Sequence, residues 1–192
     1  MNLISLFSGA GGLDLGFEKA GFNILTASEY DKTIWETYEK NHRANLIKKD
    51  ISKVSSDEFP DNIEGIIGGP PCQGFSMAGS RIRKDFIDDE RNYLFKYYFK
   101  IVQKVKPKMF IMENVKGILT MHSGKIIEEI EKLFNNPKNF DGNKYFLNIK
   151  KVNAKDFGIP QNRERVIITG ILNTKINFEK EWQKTKEQIV LM

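Results

Sequence analysis

Phe7-Ser8-Gly9-Ala10-Gly11-Gly12-Leu13 stands between the apolar run Leu3–Phe7 and a helical pattern over Leu13–Ala20, and this junction constrains the fold more than any other stretch. Glycines let the backbone turn tightly and approach a ligand closely, while the helix start offers unpaired N–H groups to a carboxylate or phosphate. Beyond it, short apolar runs keep alternating with helical patterns, the mark of βα units and a mostly parallel α/β sheet. The spacing predicts strands at Leu3–Phe7, Asn23–Ser28, Ala44–Lys48, Ile63–Gly68, Lys108–Glu113, Tyr145–Val152 and Val166–Ile171. Helices are expected over Leu13–Ala20, Lys32–Asn41, Asn92–Lys104 and Gly124–Phe134, with turns at Asn135–Asn139 and Asp141–Asn143. A length of 192 residues suits one such domain, expected over residues 1–172, with 173–192 as a charged C-terminal tail.

Composition removes several classes of function. One cysteine excludes an internal disulfide and a thiolate cluster, and fits a reducing, cytoplasmic compartment. With two histidines, His42 and His122, a protein-bound catalytic metal is not expected. The apolar N-terminus has no basic n-region and runs directly into the glycine loop, so it reads as a first strand and not as a signal peptide. No apolar run approaches the ~20 residues that cross a bilayer, so no membrane partner is expected. The net charge of +5 is unevenly spread: Arg81–Lys108 holds nine Lys/Arg against four acids, a surplus as large as that of the whole chain. Such a block attracts polyanions.

Four further features carry chemistry. Cys72 sits in Gly69-Pro70-Pro71-Cys72-Gln73-Gly74-Phe75-Ser76 after an apolar strand; two prolines fix φ and a glycine follows, so the thiol is displayed on a stiff turn as a nucleophile is. Glu29 lies twenty residues past Gly9, at the end of the second strand, where an acid accepts hydrogen bonds from ribose hydroxyls. Together with the glycine loop it argues for a nucleoside-containing cofactor, with Tyr30 and Asp50-Ile51 placed to flank an adenine. Glu113 follows the strand Met109-Phe110-Ile111 on the rim where doubly wound sheets bind ligands, and can donate or share a proton there. In Gln161-Asn162-Arg163-Glu164-Arg165, the two arginines are expected to face opposite ways at a strand start, one toward a ligand and the other bracing the site.

Taken in order, Phe-Ser-Gly-x-Gly-Gly, Pro-Pro-Cys-Gln-Gly-Phe-Ser, Glu-Asn-Val and Gln-x-Arg-x-Arg resemble the motifs of the DNA cytosine-5 methyltransferases; Asp89-Glu90-Arg91-Asn92-Tyr93-Leu94-Phe95 also looks like the family's Asp-x-Arg-x-x-Leu stretch. The resemblance runs from Leu3 to about Ile171. It implies a Rossmann-like, S-adenosylmethionine-dependent methyltransferase fold with an antiparallel C-terminal strand. It implies a cofactor pocket of Phe7, Gly9, Ala10, Gly11, Gly12, Leu13, Glu29, Tyr30, Asp50, Ile51, Pro70 and Leu94. Cys72 becomes the nucleophile, Glu113 the partner of the cytosine N3 edge, and Arg165, beside Arg163, a contact to the base O2 that steadies the cysteine. Ser76, Arg81, Arg83 and Lys84 are expected to contact the phosphates of double-stranded DNA. The implied activity is methylation of cytosine C5 within a restriction–modification system; a tRNA methyltransferase and an inactive, cofactor-binding remnant are the alternatives. The family continues through a target-recognition region and an Asn-rich motif that this sequence lacks, so the expectation is a shortened piece, a broken reading frame or one subunit of a split enzyme.

Overall fold

Leu3, Ile4 and Leu6 have no exposed surface because β1 (Asn2–Leu6) lies between two parallel neighbours, β2 (Asn23–Ser28) and β4 (Gly65–Gly68). A strand covered on both faces reads as a continuous apolar run, which is why Asn2-Leu3-Ile4-Ser5-Leu6 shows no polar alternation. The computed structural model describes residues 1–71 and 94–179. These fall into two compact units, Met1–Met112 and Glu113–Met192.

In the first unit, β3 (Asn45–Ile47) pairs with β2, and β5 (Met109–Val115) pairs with β4 through Gly65↔Met109 to Gly68↔Met112. All these pairings are parallel. The chain therefore leaves β1 toward β2 and β3 on one side and returns for β4 and β5 on the other. Such a reversal opens a crevice at the carboxyl end of the first strand, and the glycine loop stands there. Gly68 ends β4 beside β1, where a Cβ would come within 2.3 Å of the Leu6 carbonyl oxygen. Helix α1 (Gly12–Lys19) packs Leu13 and Phe17 against Leu3, Ile24 and Ile67. Helix α2 (Lys32–Asn41) starts where expected, because the Asp31 side chain accepts from the Thr33 N–H and caps it. On α3 (Leu94–Val105), the buried Tyr98 hydroxyl shares its proton between the carbonyls of Ile66 and Ile111, each at 3.0 Å.

In the second unit, β6 (Tyr145–Asn153) and β7 (Glu164–Leu172) form an antiparallel ladder from Tyr145↔Leu172 to Asn153↔Glu164. Helix α4 (Lys125–Asn135) turns Ile126, Ile130 and Phe134 inward. Phe134, Phe140 and Tyr145 are fully buried together, Phe140 and Tyr145 edge to face at 4.9 Å. Among the described residues no helix is long and apolar enough to cross a membrane. The described strands and helices fall within two residues of their expected bounds, and two of the differences bear on the site. β5 runs on to Val115, carrying Glu113 and Asn114 inside the strand, because its alternating burial continues through the buried Asn114. β7 starts at Glu164 and not at Val166, because the ladder with β6 extends over charged residues.

Candidate active site

A cleft of about 200 Å³ in the first unit is lined by Phe7, Ser28, Glu29, Tyr30, Asp50, Ile51, Pro71 and Leu94. Six of the expected cofactor residues thus come together from the ends of β1, β2 and β3 and the start of α3. Pro71 lines it where Pro70 was expected, and Ser28 was missed. Glu29 is 8% exposed and held on every side. Its Oε2 accepts the Gly9 N–H at 2.9 Å, its Oε1 accepts the Asp31 N–H at 2.8 Å, and its carbonyl accepts Trp35 Nε1 at 3.0 Å. Asp50 is tied to the turn after β3: its Oδ1 accepts from the Ser52 hydroxyl and N–H, and these bonds hold its carboxyl below the ordinary value. Tyr30 is 59% exposed at the mouth.

The loop is bent by left-handed residues at Phe7 (φ 56°), Gly9 (φ 56°) and Gly11 (φ 84°). Phe7 bears strain there that a glycine does not. At Gly11 a Cβ would meet His42 Nε2 at 2.0 Å, so both conformation and space demand glycine. Leu13 packs into the core cluster instead of lining the cleft, and Ala10 on the loop and Gly12 at the start of α1 lie exposed. Ser8, also missed, donates its N–H to the Ser28 carbonyl and accepts from the Gly11 N–H, yet its buried Oγ has no hydrogen-bond partner among the described residues. A polar atom orphaned beside a loop is a signal that only coordinates can give.

In the second unit, Glu113 Oε1 lies 2.7 Å from Arg165 Nε, with both side chains about one quarter exposed. Arg165 Nη1 donates to the Glu164 carbonyl at 2.7 Å. The Glu164 carboxylate accepts from Lys116 Nζ on one oxygen and from Lys151 Nζ at 3.1 Å on the other. The Lys116 hydrogen bond, then that of Lys151, holds its carboxyl well below the usual range, at about 2. A recess lined by Val115, Lys116 and residues 161–165 adjoins the pair. The two arginines do not divide as expected. Alternate residues of a strand share a face, and Arg163 precedes β7 altogether. It sits in the turn, its N–H donating to Asn153 Oδ1 and its carbonyl accepting from Ala154, with its side chain exposed. The residue facing away from Arg165 is Glu164. Lys116, Lys151 and Glu164 were missed; an acid between two arginines was the available signal.

Cys72, Ser76, Arg81, Arg83 and Lys84 lie outside the described residues. Among the described residues no group of three or more His, Cys, Asp or Glu is placed to hold a metal ion.

A family model described as C-5 cytosine-specific DNA methylase matches residues 1–190. Type II methyltransferase M.FnuDI of Fusobacterium nucleatum is 54% identical over 182 residues, 93% of this chain and 50% of that protein. Type II methyltransferase M.NgoPII of Neisseria gonorrhoeae is 47% identical over 184 residues, 94% of this chain and 51% of that protein. Among solved structures, one described as a DNA modification methyltransferase encoded within an E. coli prophage matches with a TM-score of 0.75 at 34% identity, covering 93% of this chain and 49% of that one. The chain spans about half the length of the curated relatives it matches.

Proposed function

Because the chain belongs to the C-5 cytosine-specific DNA methylase family, we propose that it is the catalytic part of a type II enzyme that moves a methyl group from S-adenosylmethionine to C5 of cytosine in double-stranded DNA. The observation that carries this reading is the half-buried Glu113–Arg165 pair at 2.7 Å. An acid that can protonate or hydrogen-bond N3 beside a cation that can hold O2 is what activation of the pyrimidine ring requires.

The cleft of the first unit fits S-adenosylmethionine. Phe7, Ile51, Leu94 and Pro71 offer apolar surface to a purine, and Glu29 keeps free lone pairs for ribose hydroxyls. When bound, this cofactor supplies a methyl group on a positively charged sulfur. Cytosine C5 is too electron-poor to take it unaided. In the proposed cycle the Cys72 thiolate adds to C6, and Glu113 donates or shares a proton at N3, so that the ring electrons collect at C5. A cation favours a thiolate over the thiol, and Arg165 is assigned that role along with its contact to O2. Once C5 carries the methyl group, loss of its proton restores the double bond and expels Cys72. A stacked base hides C6 and N3, so the cytosine is flipped out of the duplex, with Ser76, Arg81, Arg83 and Lys84 on the phosphates.

Reading of the DNA sequence is assigned to residues outside this chain, on the same polypeptide or on a second subunit; what supports this is its half-length match to the relatives. The test is methyl incorporation into a defined duplex, with calorimetry of S-adenosylmethionine binding. Cys72→Ser is expected to abolish incorporation and leave cofactor affinity nearly intact. Equal loss of both would overturn the role of Cys72. Site-specific methylation by the 192-residue chain alone would overturn the assignment of recognition elsewhere.

A further inference from the structure

Ser5, Asp14 and Tyr38 are fully buried polar residues, and none of them lines the cleft. Ser5 Oγ donates to Asp14 Oδ1 at 2.6 Å and Tyr38 OH donates to Asp14 Oδ2 at 2.6 Å. The first bond joins β1 to the first turn of α1 across nine residues, and the segment it closes is the glycine loop. That segment contains three left-handed residues, one of them Phe7. Strained backbone persists only where its surroundings over-determine it. The Tyr38 ring continues the network, stacking on His42 with centroids 4.5 Å apart. His42 Nδ1 lies 3.1 Å from Glu18 Oε2 on α1, and the opposite edge of its ring fills the space beside Gly11. The network therefore touches the loop at its entrance, at Gly11 and at its exit.

An apolar side chain at position 14 would fill this space without the cost of drying a carboxylate. What the network adds is geometry: a buried acceptor with two fixed donors permits one placement of α1 relative to β1, and any other leaves polar atoms unpaired. We propose that Ser5, Asp14 and Tyr38 are positioning residues that staple the glycine loop into its cofactor-binding shape. This rests on the reading of the cleft as the S-adenosylmethionine site.

Ser5→Ala and Tyr38→Phe each delete one oxygen from the staple and leave the cleft lining untouched. Each is expected to weaken S-adenosylmethionine binding by roughly 5- to 30-fold, the equivalent of one buried hydrogen-bond partner, and to speed hydrogen exchange at the amides of residues 8–11. Ile24→Val serves as the control, since it loosens the same core by a methyl group without touching the staple; its affinity and loop exchange should match wild type even where its melting temperature falls. The measurements are calorimetry and exchange on the full chain, with melting curves for all variants. Wild-type affinity and loop exchange in both oxygen-deletion variants would overturn the staple, as would equal losses in Ile24→Val. If the wild-type chain bound no S-adenosylmethionine, the cleft reading would fail, and exchange would still decide the staple: acceleration confined to 8–11 supports it, and none overturns it.

Discussion

Asp14 in the first unit and Glu164 in the second are both carboxylates with two side-chain donors, and they respond in opposite ways. Asp14 is dry: burial pushes its carboxyl above the ordinary value even though hydrogen bonds from Ser5 and Tyr38 pull it back. Glu164 is 27% exposed, its donors are ammonium groups, and its carboxyl is held down to about 2, first by Lys116. The first unit shapes its site with hydrogen bonds from uncharged donors and with backbone, as at Glu29 and Gly9. The second shapes its site with ion pairs in reach of water. The contrast matches the proposed ligands, a small cofactor held in a cleft and a polyanion met at a wet surface. It also means that packing changes should damage the first site, whereas salt and pH should damage the second.

The largest expected effect tests whether the two sites are separable. Glu113→Gln should lower the rate of methyl transfer by on the order of 10²–10⁴, the usual contribution of a positioned acid, while S-adenosylmethionine affinity stays unchanged. Single-turnover assays with saturating duplex and cofactor check the rate, and calorimetry checks the affinity. Loss of affinity in step with the rate would erase the distinction between the sites.

Glu29→Ala should do the reverse. It removes the acceptor of the Gly9 and Asp31 N–H groups along with the proposed ribose partner. Cofactor binding should weaken by roughly 1–3 kcal/mol, with turnover recovering at saturating S-adenosylmethionine. An unchanged dissociation constant would leave Glu29 as a capping acid only.

Much of the first site could be read from local sequence because local geometry builds it. The strand, glycine loop and helix are contiguous, and Glu29 follows at the spacing a βαβ unit imposes. Helix α2 keeps its expected bounds, Lys32–Asn41, and the structure adds the Asp31 cap directly before it. Failures came where polar residues continue a strand. Glu113 and Asn114 look like a strand end, yet β5 runs through them, and Glu164 looks like a loop residue, yet it opens β7. The arginines were misjudged through the strand period itself. What stayed illegible depends on pairs far apart in the chain: Asp14 with Tyr38 lies 24 residues away, and Lys116 with Glu164 lies 48. No local pattern reports such contacts.

A smaller effect separates the two carboxylates by the sign of their pH dependence. A carboxyl whose folded pKa is raised contributes stability as the acid form, fully present below its ordinary 3.8 and lost as pH rises through the folded value. Asp14→Asn carries no charge at any pH, so its stability relative to wild type should rise as pH increases above the ordinary 3.8. Urea melts at several pH values measure this. A relative stability that is flat or falls with pH would mean that burial does not dominate at Asp14.

Glu164 should show the opposite slope, and the smallest effect of the set because its ion pairs are wet. Its folded pKa is depressed, so the contribution of its pairs is fully present above the ordinary 4.5 and is lost as pH falls toward about 2. Glu164→Gln should therefore be less stable than wild type near neutral pH and indistinguishable from it near pH 2. Salt offers an independent check, since exposed pairs are screened within about 10 Å at 0.1 M ionic strength; the neutral-pH difference should shrink in 0.5 M salt, whereas the effect of Asp14→Asn should not. The same loss has a local consequence. Glu164 joins Lys116, just beyond β5, to β7 and β6, and so lies next to the Glu113–Arg165 pair along both of its strands. Releasing Lys116 should lower the rate of methyl transfer modestly without altering cofactor affinity. A Glu164→Gln difference that persists at pH 2 and in high salt would show that the second unit is held by packing as the first is, and the comparison between the two sites would fall.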